Sequence, residues 1–171
     1  MSMENTGSEA LVTLPVAAPA PAVVAVSPLI ERLVAAHGAV WLDAGNSADW
    51  CAGAGDRVVF LAGDAQRFPE GLDVAVVLPE LQRSFPGRFA LGVATRAHED
   101  ALAKRYGSIR WPALLFLRDG QYVTVLSGML DWDVYVDQVG RALEMPASRA
   151  PTVGIPVRMA GAASPSDSSC H

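Results

Sequence analysis

The reactive side chains of the chain first suggest thiol chemistry, because two cysteines, Cys51 and Cys170, occur among its 171 residues. They lie far apart in the sequence. So small a number cannot build a disulfide scaffold and fits a reducing compartment. A thiol oxidoreductase that uses Cys51 is therefore one hypothesis for the function, to be weighed against non-catalytic ones.

Metal binding is the second chemistry that the residue types raise. The histidines His37, His98 and His171 are scattered, with no cysteine or carboxylate at ligand spacing. We predict no metal site and no cofactor, and we assign no role to the Cys170-His171 pair.

The composition and charge indicate one folded domain with tails. A length of 171 residues with 51% hydrophobic residues suits a single domain. The net charge of −5 argues against nucleic-acid binding and favours cationic partners. Residues 10–26 are apolar, but no Lys or Arg precedes Arg32, and Pro15, Pro19 and Pro21 interrupt the run. We therefore expect neither a signal peptide nor a membrane helix, but a cytoplasmic protein with a flexible Pro/Ala-rich leader over 1–27.

Helix and strand signals alternate between residues 28 and 145, the predicted domain. Ser27-Pro28 marks a helix start and His37-Gly38 its end. Apolar residues recur at helical spacing from Val74 to Phe85, although the run 74–78 alone could form a strand, and Pro79 would kink a helix. Strands are predicted over 40–42, 57–62 and 88–94, and loops over 43–56 (with one helical turn) and 63–71. A helix is predicted over 98–106. A last helix is capped by Asp131 and carries Trp132, Val136, Val139 and Leu143 on one face. Residues 146–171 are predicted to form a disordered tail.

The stretch from Tyr106 to Tyr122 carries the clearest local signal. Asp119-Gly120 between two apolar runs predicts a β-hairpin. Pro112 opens the first strand, where a missing N–H does no harm. The Trp111-Pro112 bond precedes this hairpin, a place where we expect a cis peptide.

This stretch resembles the second half of a thioredoxin domain, in which a Tyr-Gly, a cis-proline and a strand–turn–strand hairpin form one wall of the active site. The element order agrees with that resemblance, because a βαβ unit followed by a hairpin and a helix makes a mixed sheet. We therefore predict an α/β thioredoxin-like fold, with a central mixed β-sheet flanked by helices on both faces.

Several segments are similar to the HyaE/HupG family of hydrogenase-maturation proteins. They are Phe60-Leu-Ala-Gly-Asp64, Arg67-Phe-Pro-Glu70, Asp73-Val-Ala-Val-Val-Leu-Pro-Glu-Leu81, Arg110-Trp-Pro-Ala113, Phe116-Leu-Arg-Asp-Gly-Gln-Tyr122, Ser127-Gly-Met129 with Asp131-Trp132, and Gly154-Ile-Pro-Val157. The resemblance implies a cytoplasmic, non-catalytic accessory protein of [NiFe]-hydrogenase assembly. It implies binding to the hydrogenase small subunit precursor, at its twin-arginine signal peptide before export, and to other maturation proteins.

The thioredoxin-like site lacks its thiols. A thioredoxin places two cysteines where the second helix begins, because a helix N-terminus lowers a thiol's pKa. The matching positions, counted back from Pro79, are about 71–74 and read Gly-Leu-Asp-Val. A thiol reaction has no nucleophile there, so the remaining function would be peptide binding. A structural module of a maturation complex, without signal-peptide contact, is a further alternative.

The resemblance places the binding site around the loop and the proline turn. We predict that Asp64, Phe68, Glu70, Asp73, Trp111 and Pro112 contact the partner, with Glu80 nearby. The carboxylates would form an acidic lip for an arginine-bearing peptide, since Arg–carboxylate pairs are strong and directional. The alternative is a solvated loop, with Asp73 stabilising the start of a helix. Phe68 and Trp111 could line a groove or simply pack inward, whereas Trp41, Trp50 and Trp132 are expected in the core.

Overall fold

The structure is a computed structural model that describes residues 26–151 of the chain. Most of the predicted leader and most of the predicted tail, 1–25 and 152–171, lie outside the described residues. The elements are α1 (Pro28–His37), β1 (Val40–Leu42), α2 (Ser47–Ala52), β2 (Asp56–Leu61), α3 (Glu70–Ser84), β3 (Ala90–Ala94), α4 (Arg96–Tyr106), β4 (Ala113–Arg118), β5 (Gln121–Ser127) and α5 (Trp132–Glu144).

One mixed sheet organises these elements, with the strand order β1-β3-β2-β4-β5. β1, β3 and β2 are parallel, whereas β4 and β5 run antiparallel to their neighbours. The central strand β2 places Phe60 opposite Val93 on one side and Leu114 on the other. The carboxyl end of β2 therefore meets the start of β4, directly after Pro112.

Helices cover both faces of the sheet, as the predicted fold class requires. Alternate residues of a strand point to opposite faces, and in β2 Val58 and Phe60 join one core while Val59 and Leu61 join the other. The first core holds the buried hydrophobic residues of α1, α3 and α5, and the second holds those of α2 and α4.

The helix ends follow the local sequence signals. At α1 the Ser27 hydroxyl accepts a hydrogen bond from the Leu29 N–H, and Gly38 ends the helix in the left-handed conformation. The ambiguous run after residue 73 is helical, and Pro79 lies inside α3. The start of α3 approaches the end of β2 closely, because a Cβ on Gly71 would lie 2.4 Å from the Ala62 carbonyl oxygen.

Helix α5 differs from its prediction in two respects. Asp131 is the N-cap residue, but its side chain makes no capping hydrogen bond. Trp132 is 44% exposed rather than part of the core, whereas Tyr135, which the prediction left out, is 1% exposed. Val139 and Leu143 are buried as predicted, together with Tyr135 and Ala142, and Val136 packs partly buried against the same core.

The chain continues along the sheet after α5. The Ser148 N–H donates to the Tyr122 carbonyl at 2.6 Å, which forms an isolated antiparallel bridge to β5. Ala150 packs against the second core. No helix within residues 26–151 combines the length and the apolarity that crossing a membrane requires.

Candidate functional site

The turn that precedes β4 is the geometric centre of the candidate site. The Trp111–Pro112 peptide bond is cis, as predicted, and Pro112 is buried. The Pro112 carbonyl accepts a hydrogen bond of 2.7 Å from the Gly128 N–H, and the Gly128 carbonyl accepts one of 2.8 Å from the Tyr135 hydroxyl. These bonds fix the proline turn to the end of β5 and to α5.

An open groove lies beside this turn, and we call it the proline groove. Its walls are formed by the loop before α3, the stretch before Pro112 and the end of β5: Arg67, Phe68, Ile109, Arg110, Trp111, Ser127 and Gly128. The Phe68 and Trp111 rings are stacked, with their centroids 5.8 Å apart and their planes 26° apart. Gly63 allows this pair to sit close to the backbone, because a Cβ there would lie 2.8 Å from Phe68 and 3.0 Å from Trp111.

The backbone along one wall of the proline groove has, among the described residues, a single side-chain hydrogen bond, which the Ser108 hydroxyl donates to the Arg110 carbonyl at 3.5 Å. Within residues 26–151, no backbone–backbone hydrogen bond involves the N–H or C=O groups of residues 109–111. The indole N–H of Trp111 is buried and also lacks a partner in that part of the chain. Ile109 and Arg110 are exposed, so their backbone groups are accessible to the main chain of an extended peptide.

The charges on the proline groove are cationic, which the sequence did not predict. Arg67 and Arg110 line it, and the Arg67 guanidinium lies 5.3 Å from the centre of the Phe68 ring. Glu70 and Asp73 do not line the groove. They lie exposed in the first turn of α3, and neither forms an ion pair among the described residues.

The other two predicted carboxylates lie elsewhere. Asp64 stabilises its own loop, where its Oδ1 accepts hydrogen bonds from the N–H groups of Gln66 and Arg67 at 2.9 and 3.1 Å. Glu80 pairs with Arg83 on the exposed surface of α3. The structure thus brings Phe68, Trp111 and Pro112 together, with Glu70 and Asp73 on the adjoining helix turn, and it separates Glu80 from them.

A buried carboxylate that the sequence analysis missed lies behind the loop. Glu99 in α4 is 1% exposed, accepts a hydrogen bond of 2.7 Å from the Gly63 N–H, and pairs with Arg96 at 2.8 Å. Burial raises the pKa of Glu99, against the hydrogen bonds and the Arg96 charge, which lower it. Its sequence context, an exposed-looking helix of charged residues, gave no sign of this role. Glu99 ties the start of the 63–69 loop to α4 and so positions Phe68.

The thiol that the rival hypothesis requires is inaccessible. Cys51 is 1% exposed beneath the sheet, and burial raises the pKa of its thiol despite a hydrogen bond with Tyr106 and two nearby arginines. A buried thiol with a raised pKa is a poor nucleophile. Residues 26–151 contain no group of three His, Cys, Asp or Glu side chains that could hold a metal ion.

The fold and the proline groove together define a thioredoxin-like protein with no thiol where the thioredoxin cysteines would lie. A solved mutant thioredoxin from Halobacterium salinarum NRC-1 shares this fold, with a TM-score of 0.50 and 18% identity over 63% of this chain and 92% of that one. The family model of the hydrogenase-1 expression protein HyaE matches residues 29–135. The chain belongs to this HyaE family.

Two curated relatives support the same assignment. The hydrogenase expression/formation protein HoxO of Cupriavidus necator is 58% identical over 156 residues, which cover 90% of this chain and 94% of HoxO. The hydrogenase expression/formation protein HupG of Bradyrhizobium diazoefficiens is 37% identical over 126 residues, which cover 71% of this chain and 84% of HupG.

Proposed function

We propose that the protein is a non-catalytic chaperone of [NiFe]-hydrogenase maturation. It binds the hydrogenase small subunit precursor in the cytoplasm, through the twin-arginine signal peptide, before export. The observation that carries this proposal is the proline groove, which offers an aromatic wall and, beside the cis-proline, a stretch of backbone without main-chain partners among residues 26–151.

The environment of Cys51 supports the proposal of a non-catalytic role. Cys51 is buried with a raised pKa, and Cys170 lies outside the described residues, far along the chain from the start of α3. Replacing both cysteines by serine should leave hydrogenase maturation in cells near the wild-type level. Loss of maturation with the fold intact would restore the oxidoreductase hypothesis.

The apolar part of the bound peptide lies along the proline groove. Its main chain pairs with residues 109–111, and its side chains contact Phe68, Ile109 and Trp111. Ile109 is 75% exposed, so it offers apolar surface that such a peptide would bury.

The paired arginines of the peptide lie outside the groove, because Arg67 and Arg110 would repel them there. Glu70 and Asp73, which form no ion pair among residues 26–151, lie on the first turn of α3, shortly after Phe68 in the chain. The bound peptide thus has a direction, with its arginines toward α3 and its apolar run over Trp111.

A pull-down distinguishes this proposal from its closest rival, a structural module that does not contact the signal peptide. The tagged full chain should retain the small subunit precursor from cells and lose it when the signal peptide is deleted. If the subunit is retained equally well without its signal peptide, the protein is instead a structural module of a maturation complex.

A further inference from the structure

The wall of the proline groove formed by residues 109–111 is open to an extended segment even before a partner arrives, because Ile109 and Arg110 are exposed. Its backbone N–H and C=O groups have no backbone partner within residues 26–151. Its first side chain, Ile109, is 75% exposed and is the most exposed large hydrophobic residue of this part of the chain. Unpaired backbone beside exposed apolar surface is a template for another extended segment.

The described chain ends next to this wall. A Cβ on Gly107 would lie 2.6 Å from the carbonyl oxygen and 3.5 Å from the carbonyl carbon of Pro151. Pro151, the last described residue, is therefore in contact with Gly107. From Gly107 to Trp111 the chain can extend at most about 14 Å, whereas six extended residues reach about 20 Å.

The next six residues have the composition of an extended apolar segment. Residues 152–157 read Thr-Val-Gly-Ile-Pro-Val, so Val153, Ile155 and Val157 alternate with small residues and a proline. In an extended chain these three side chains share one face. Arg158 ends the apolar run. Because Arg67 and Arg110 already line the groove, the segment that suits it ends before this third arginine.

We propose that residues 152–157 of the same chain dock along residues 108–111 and cover the proline groove, with Val153, Ile155 and Val157 against Ile109 and Trp111. The tether makes weak contacts sufficient, because a directly linked segment is present at an effective concentration on the order of millimolar. The segment acts as an internal competitor that an incoming peptide must displace. This inference does not depend on which partner binds, so its test needs no partner.

Hydrogen–deuterium exchange on the full-length protein provides the test. Ile155→Asp places a charge where the apolar face should lie, and Ser164→Asp introduces the same charge beyond the segment. We expect Ile155→Asp to speed exchange of the amides of residues 109–111 severalfold relative to wild type, with Ser164→Asp at the wild-type rate. The amides of β4 report the fold and should be unchanged in all three proteins.

Two outcomes would overturn the proposal. Equal exchange of residues 109–111 in the wild type and both variants would show that residues 152–157 do not cover the wall. Protection that rises with protein concentration, together with a dimer in light scattering, would show that a second copy is the occupant. A reciprocal change, Ile109→Asp, should speed exchange of the residue 153 and 155 amides, and it leaves the fold intact because Ile109 is exposed.

Discussion

Replacing Tyr135 by phenylalanine removes one hydroxyl that connects α5 to the proline groove. Tyr135 is 1% exposed and donates a 2.8 Å hydrogen bond to the Gly128 carbonyl. Burial raises the pKa of Tyr135 to about 12, so the hydroxyl keeps its proton throughout the neutral range. A typical hydrogen bond contributes about 0.5–1.5 kcal/mol, and a buried acceptor left unpaired costs about 1–3 kcal/mol. Because Gly128 is only half-buried, we expect Tyr135→Phe to lower the free energy of unfolding by about 1–2 kcal/mol.

Urea unfolding of the full-length protein measures this change, with Tyr122→Phe as the matched control. Tyr122 is half-buried, and its hydroxyl pairs with Thr124 of the same strand rather than with another element, so the control should cost less than Tyr135→Phe. The Gly128 amide, which donates to Pro112, should also exchange faster in Tyr135→Phe than in the control. Equal stabilities of the two variants would refute the view that Tyr135 fixes the turn.

Two further predictions concern stability. Burial raises the folded-state pKa of Glu99, so the contribution of Glu99 to the free energy of unfolding is fully present below the unfolded pKa and is lost as pH rises through the folded pKa. Urea unfolding between pH 4 and 8 should therefore show that Glu99→Gln destabilises the protein most at low pH, with the exposed Asp100→Asn as control. A destabilisation that grows with pH would contradict this. Gly71→Ala should destabilise by roughly 1–3 kcal/mol, because its Cβ would meet the Ala62 carbonyl oxygen. Gly140→Ala, whose Cβ would make only ordinary contacts with Phe85 at 3.7 Å, should stabilise by about 0.5–1 kcal/mol. Thermal unfolding measures both variants, and a higher Tm for Gly71→Ala than for Gly140→Ala would contradict the prediction.

Short-range signals predicted much of the fold because they act within a few residues. The Ser27 cap and Gly38 bound α1 as predicted, and the Asp119-Gly120 turn adopts the positive φ angles of 48° and 79° that such a hairpin requires. The exposure of Trp132 could not be predicted in this way. Helical periodicity identifies an apolar stripe, but the sheet decides which neighbouring residue at the first turn faces it, and here Tyr135 does.

The aromatic half of the candidate site was predictable, and its charge pattern was not. Phe68 and Trp111 flank a loop and a proline turn that the sequence identifies, and the two rings stack there. The side of the loop that each charge occupies depends on contacts between distant segments. Asp64 is held by hydrogen bonds within its own turn. Arg67 and Arg110 line the same groove although 43 positions separate them in the sequence.

Calorimetry with a synthetic small-subunit signal peptide tests the central claim most directly. The wild-type full chain should bind the peptide, and Trp111→Ala should weaken binding at low and high salt alike, because it removes apolar contact. Glu70→Gln with Asp73→Asn removes two exposed ion pairs of roughly 0.2–1 kcal/mol each, about twofold to thirtyfold in Kd, and this loss should fade at high salt. Glu80→Gln, which lies away from the groove and pairs with Arg83, should bind as wild type does. Binding that is unchanged by Trp111→Ala and by the double substitution at both salt concentrations would contradict the claim that the proline groove and the start of α3 receive the partner.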